Sequence, residues 1–150
     1  MAKPSFVYVT YIATTPEKLF DALTNPEMTR HYWFNHRNAS DWKPGSTWRH
    51  EDYAKSEKAD IVGKVLEVSP PSRLVISWHR PGEEADPGKH SRVTFSIEPI
   101  VGMVRLTVAH EELEAGSTMI DGITKGWPAV LASLKSMLET GRPLPRIDGK

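Results

Sequence analysis

Cysteine is absent from the 150 residues, which excludes a disulfide scaffold, a thiolate zinc site and a cysteine nucleophile together. An excess of charge of either sign is missing as well: 19 Lys and Arg stand against 19 Asp and Glu, for a formal net charge of +0. Phosphate neutralisation needs one-sided positive charge, so no nucleic-acid partner is expected. No apolar run approaches the ~20 residues of a membrane span, and Met1 to Ser5 lacks the apolar core of a secretion signal. Cytoplasm is therefore the expected location, and the glycosylation sequon at Asn38-Ala39-Ser40 a chance match. A serine-hydrolase elbow, a P-loop and a dinucleotide glycine fingerprint are also lacking. Repeats and low-complexity segments are absent too. What remains is a length suited to one domain with a real core. That domain spans 1–150, its core at about 6–144, and Arg142 to Lys150 reads as a mobile tail.

Among what is present, Phe6 to Ile12 is rich in β-branched and aromatic residues and reads as a strand. Thr14-Thr15-Pro16-Glu17 places a threonine cap before proline and an acid, a helix start, with Leu19, Phe20 and Leu23 on its apolar face. Asn25-Pro26-Glu27 repeats that signal for a second short helix fading near Trp33. Asn35 to Ser46 is polar, holds Pro44-Gly45 and reads as a loop.

Five further strands follow over Thr47–Tyr53, Asp60–Ser69, Arg73–Arg80, Ser91–Glu98 and Met103–Glu111, separated by short proline- and glycine-bearing turns. Connections this short make an antiparallel meander, because parallel strands need long crossovers. Val93, Phe95 and Ile97 share one face, as do Val104, Leu106, Val108 and His110, and the residues between them are mostly polar. Ile123, Trp127, Val130, Leu131, Leu134, Met137 and Leu138 recur at three- and four-residue intervals, an amphipathic helix stopped by Gly141 and Pro143. Pro128 cannot donate to the carbonyl four residues back, so the helix either starts near Trp127 or starts near Ser117 and bends. The expected fold is α+β, a curved antiparallel sheet of about six strands around a long C-terminal helix.

Residue by residue, this order resembles a known family. Gly63-Lys64-Val65-Leu66-Glu67-Val68-Ser69-Pro70, continuing as Pro71-Ser72-Arg73-Leu74-Val75-Ile76-Ser77-Trp78, is similar to a signature of the family named after the activator of Hsp90 ATPase. So are Ala22-Leu23-Thr24-Asn25-Pro26-Glu27 and Gly126-Trp127 followed by Leu131, Leu134 and Leu138. That family lies within the START-like, or Bet v 1-like, superfamily. The resemblance runs from about Phe6 to Leu144 and implies the helix-grip fold, whose cavity takes hydrophobic molecules; some members are cyclases or aromatases. The co-chaperone behind the family's name has a separate N-terminal domain that is important for stimulating the chaperone, and this chain resembles the C-terminal module.

Function is then expected to be the binding of a small hydrophobic or amphipathic molecule between sheet and helix. A stress-related co-chaperone or protein-interaction module is the alternative, and a cyclase-like enzyme a second. The residues expected to line the pocket are Trp48, His50, Trp78, Phe95, Leu106, Val108, His110, Ile123, Trp127 and Leu131. His110 lies on the inward side by strand parity and either orients a ligand's polar end or is a satisfied core histidine. His50 joins the pocket if Trp48 points inward; Glu67 shares a strand face with Gly63 and Val65, but Val62, Leu66 and Val68 compete for the inward side and an exposed acid is the favoured reading. His31 and His36 lie five apart, which is wrong for a helical metal pair, and read as surface residues. Trp33 and Trp42 flank the loop near a pocket mouth. Asp52, Asp60 and Glu51 read as a solvated face. No catalytic constellation is found and no cofactor or metal is called for.

Overall fold

The computed structural model describes residues 3–145, apart from the side chains of residues 56 and 57. Strand β1 (Phe6–Ile12) leads into helices α1 (Pro16–Thr24) and α2 (Pro26–Tyr32). The caps are those the sequence announces. Thr15 Oγ1 accepts from the Lys18 amide at 3.2 Å, and Asn25 Oδ1 from the Glu27 amide at 3.0 Å. Strands β2 (His36–Ser40), β3 (Thr47–Asp52), β4 (Lys55–Ser69), β5 (Arg73–Trp78), β6 (Ser91–Ile100) and β7 (Met103–Glu111) follow, then helix α3 (Thr118–Thr140). The order across the curved antiparallel sheet is β1-β7-β6-β5-β4-β3-β2. The architecture is the expected α+β helix-grip arrangement, with seven strands instead of about six.

The extra strand is β2, in the segment expected to be a loop. Its residues are polar apart from Ala39, and it pairs with one neighbour only, from His36↔Asp52 to Ser40↔Trp48. Pairing here comes from β3 rather than from apolar alternation, which is why composition hid it. In β4, a register shift between Val65 and Glu67 inserts one extra residue. Such a bulge reverses the facing of everything beyond it. Val65 is therefore buried before the bulge and Val68 packs on the core after it, while Leu66 stands exposed. Glu67 turns outward to Arg73, 3.1 Å away, as the favoured reading of an exposed acid had it.

Gly63 is required by a close approach. Trp48 Nε1 donates across it to the Ser77 carbonyl at 2.7 Å, and a Cβ there would collide with that carbonyl.

Helix α3 starts early, so a start at Trp127 is not realised. Ser117 caps it by accepting from the Ile120 amide at 3.3 Å, and it passes through Pro128 to Thr140. The buried residues Ile123, Trp127, Val130, Leu131 and Leu134 span both sides of the proline. Apolar burial on both sides thus offsets the ~3 kcal/mol a mid-helix proline costs. Gly141 ends the helix in the left-handed conformation at φ 84°. Beyond it, the Leu144 amide donates to buried Ser133 at 3.1 Å, tying this part of the expected tail to α3. Residues 146–150 of that tail lie outside the described residues. Leu74, Ile76 and Trp78 of β5, with the inward sets of β6 and β7, meet α3 in one core.

Candidate functional site

Toward the N-terminal half of α3 the helix and sheet part, and a cleft of about 390 Å³ opens between them. Trp33, Ile61, Trp78, Ile123, Trp127 and Val130 form its apolar walls, with Arg80 at its border. A neighbouring lobe of about 480 Å³ shares Trp33, His50, Asp60, Gly122, Gly126 and Val130 with it and adds Phe34, His36 and Lys125. The two are parts of one depression. Its openness has a local cause in α3: Gly122 and Gly126 occupy successive turns, and a Cβ built on either meets nothing within 4 Å. A glycine inside a helix costs about 1 kcal/mol relative to alanine, so the two together keep the helix wall low at some expense of stability.

The aromatic wall is continuous. The Trp127 ring lies 5.4 Å from Trp33, 5.5 Å from Trp78 and 5.9 Å from Phe95, in edge-on or tilted contacts. Offset geometries of this kind are favoured by the ring quadrupoles. Trp78 Nε1 donates to Met119 Sδ at 3.2 Å, which leaves the apolar faces of that ring for packing.

Two inward histidines stand at different depths. His110 is fully buried. Trp127 Nε1 donates to its Nδ1 at 3.1 Å, and Ser91 Oγ lies 2.7 Å from its Nε2. An indole N–H can only donate, so Nδ1 is the acceptor and Nε2–H donates to Ser91. Ser91 Oγ then donates to the Trp78 carbonyl at 3.2 Å. Every member of this chain is satisfied with a neutral ring, and burial lowers the imidazole to about 4. His50, at the cleft, is lowered to about 3, chiefly by burial and further by neighbouring His36. Its Nδ1 lies 2.7 Å from Asn38 Oδ1, and its ring stacks on His36 at 4.7 Å and 11°. His36 Nε2 in turn meets Asp60 Oδ2 at 2.9 Å. Among the described residues no group of three or more His, Asp and Glu is placed to hold a metal ion.

Against known families, residues 13–139 match the one described as Activator of Hsp90 ATPase homolog 1-like protein. The chain belongs to that family. Solved structures with the same fold include a protein of Mesorhizobium loti, at 23% identity and TM-score 0.76 over 90% of this chain and 96% of that one. The Aha1 dimer of Colwellia psychrerythraea matches at 20% identity and TM-score 0.74, over 92% and 98%. A Cytophaga hutchinsonii protein solved in solution matches at 26% identity and TM-score 0.72, over 92% and 95%. A search of the curated proteins found no match.

Within this Hsp90-activator-like fold the residues expected to form the pocket divide into two groups. His50, Trp78, Ile123 and Trp127 line the cleft. Phe95, Leu106, Val108, His110 and Leu131 are buried in the core behind it. Trp48 is fully buried as well, under the separate hollow beside Gly63 and His79. Trp48 and His50 do share the inward face of β3. Sequence reasoning missed His36, Asn38 and Asp60, which β2 and the irregular β3–β4 pairing bring together. It also gave Gly122 and Gly126 no part in the pocket, Gly126 entering only through the family resemblance, although their four-residue spacing on one helix face was a readable signal. His79 and His90 form a second stacked pair, 4.1 Å apart and 8° from parallel, outside the cleft. No helix among the described residues is long and apolar enough to cross a membrane.

Proposed function

We propose that this chain binds a small hydrophobic or amphipathic molecule in the cleft between α3 and the β3–β4 side of the sheet. The observation that carries this reading is the pair Gly122 and Gly126, which leaves open space beside a wall of Trp33, Trp78 and Trp127. A cleft of about 390 Å³ is of the size that takes a small ligand. Burial of apolar ligand area would supply the affinity, at about 25 cal/mol per Å². Titration with the neutral dye N-phenyl-1-naphthylamine tests it. Saturable fluorescence enhancement is expected, and Gly126→Leu should abolish it while circular dichroism and melting stay native-like. Absence of dye binding to the parent chain would overturn the reading.

A second reading, a protein-interaction module of the co-chaperone type, draws on family membership and on one surface. Val7, Val9 and Tyr11 are exposed along edge strand β1, and Val101, 96% exposed, tips the hairpin of β6 and β7. Exposed apolar stripes of this kind mark contact surfaces. Stimulation of Hsp90 ATPase by the parent chain, lost in the Val9→Lys/Val101→Lys variant and kept in Gly126→Leu, would favour this reading over the first.

A further inference from the structure

The cleft has a chemical preference as well as a shape, and His50 sets it. The ring is only 6% exposed, and it is held from three sides. His36 stacks on it, Trp33 packs at 4.8 Å, and Asn38 Oδ1 faces its Nδ1 at 2.7 Å. Asn38 is itself buried and anchored, since its backbone amide donates to Thr29 Oγ1 at 2.9 Å. The Thr29 hydroxyl donates onward to the Pro26 carbonyl at 3.2 Å. An amide oxygen only accepts, so the proton of the neutral ring sits on Nδ1, and Nε2 presents a lone pair. Among the described residues no hydrogen bond reaches that nitrogen. It is not sealed away either: among the described residues the side-chain polar atoms both sealed and without a hydrogen bond belong to Arg30, Trp42 and His79. His50 lines both lobes of the cleft.

Resting on the reading of the cleft as a ligand site, we propose that its ligand is an aromatic or fused-ring molecule carrying a neutral hydroxyl, phenolic or N–H donor that bonds His50 Nε2. The rings would lie against Trp33, Trp78 and Trp127. Burial holds the imidazole neutral well below physiological pH, so Nε2 stays an acceptor. An acceptor repels a carboxylate, and an acidic ligand would be drawn to Arg80 or Lys125 at the border of the cleft instead. A buried acceptor left unpaired by a donor-less ligand discriminates strongly, by about tenfold or more.

The test uses the full chain and three probes of one ring system, 2-naphthol, naphthalene and 2-naphthoate, followed by tryptophan quenching. 2-Naphthol is expected to bind about tenfold tighter than naphthalene, with 2-naphthoate no tighter than naphthalene. His50→Phe should keep naphthalene binding and bring 2-naphthol down to the same level. Equal binding of 2-naphthol and naphthalene to the parent chain would overturn the donor preference and leave the cleft reading intact. Preference for 2-naphthoate would overturn it too and move the anchor to the border cations. If none of the three binds, the cleft reading fails, and this inference with it. Imidazole ¹⁵N shifts of the parent chain give a check that needs no variant. They should report the Nδ1–H tautomer at His50, with Nε2 moving on addition of 2-naphthol but not naphthalene; an Nε2–H tautomer would overturn the proposal.

Discussion

The two ends of the space beneath α3 use the same residue type to opposite effect. At the closed end His110 has both ring nitrogens committed, one to Trp127 and one to Ser91, and it is fully buried. At the open end His50 lines the cleft with Nδ1 committed to Asn38 and, among the described residues, no hydrogen bond at Nε2. Burial keeps both rings neutral. The difference between them is what stands opposite. Side chains fill the closed end, whereas two glycines of α3 leave the open end unfilled. His110 is thus a packing element with its partners complete, and under the proposed ligand reading His50 is a recognition element because one of its partners is missing.

Removing the wall that separates the two ends should have the largest effect. Trp127 contacts Trp33, Trp78 and Phe95, and it supplies the donor to His110. Trp127→Ala is expected to cost about 3–5 kcal/mol in denaturant melts, more than Leu134→Ala, and to change dye affinity as well. A cost below that of Leu134→Ala would mean the ring is cleft lining alone.

Acid acts on both ends at once. Each histidine has a folded-state value below its unfolded one near 6.5, about 4 for His110 and about 3 for His50. The unfolded chain therefore takes up protons first as pH falls. The stabilisation from each neutral ring is complete above about pH 6.5 and is lost as pH drops toward 4 and 3. By pH 5 the loss is about 2 kcal/mol for each histidine. Urea midpoints from pH 7.5 to 4.5 would measure it. In His110→Gln and in His50→Gln the slope should shrink, and an unchanged slope in either would show that ring to be protonated in the folded chain.

Ser91→Ala sharpens the contrast further. It leaves the His110 Nε2–H without an acceptor in the dry core, at a cost of about 1–3 kcal/mol, while dye binding in the cleft is expected to stay unchanged. Equal loss of stability and dye binding would show that the two ends are not independent. The smallest effect has the opposite sign. Gly126→Ala replaces a helix-interior glycine where a Cβ meets nothing within 4 Å, and it should stabilise the fold by up to about 1 kcal/mol while weakening the dye. Thermal melts beside a dye titration would separate the two consequences.

Much of the fold was legible because its cues are local. The caps at Thr15 and Asn25, the inward set of Val104, Leu106, Val108 and His110, and the apolar stripe of α3 each follow from residues a few positions apart. The candidate site was legible only in part. Strand parity named Trp78 and the helical spacing named Ile123 and Trp127, with His50 added only if Trp48 points inward, yet the same two rules named Phe95, Leu106 and Leu131, which pack behind the cleft. Inward facing does not distinguish a side chain that meets another from one that meets space. Parity also stops being a guide at the bulge between Val65 and Glu67, where the facing reverses.

The order of every element except β2, the antiparallel meander, the cap positions and the inward faces of β6, β7 and α3 follow from the sequence, because backbone propensity and hydrophobic period act over neighbouring residues. Tertiary structure alone decided that the polar segment His36–Ser40 is a strand, because its hydrogen-bond partners are supplied by β3. It alone brought His36, Asn38, His50 and Asp60 together, and it alone set the cleft against the core. The volume left under α3 is a difference between side chains from distant segments, and no short stretch of chain contains both sides of that difference.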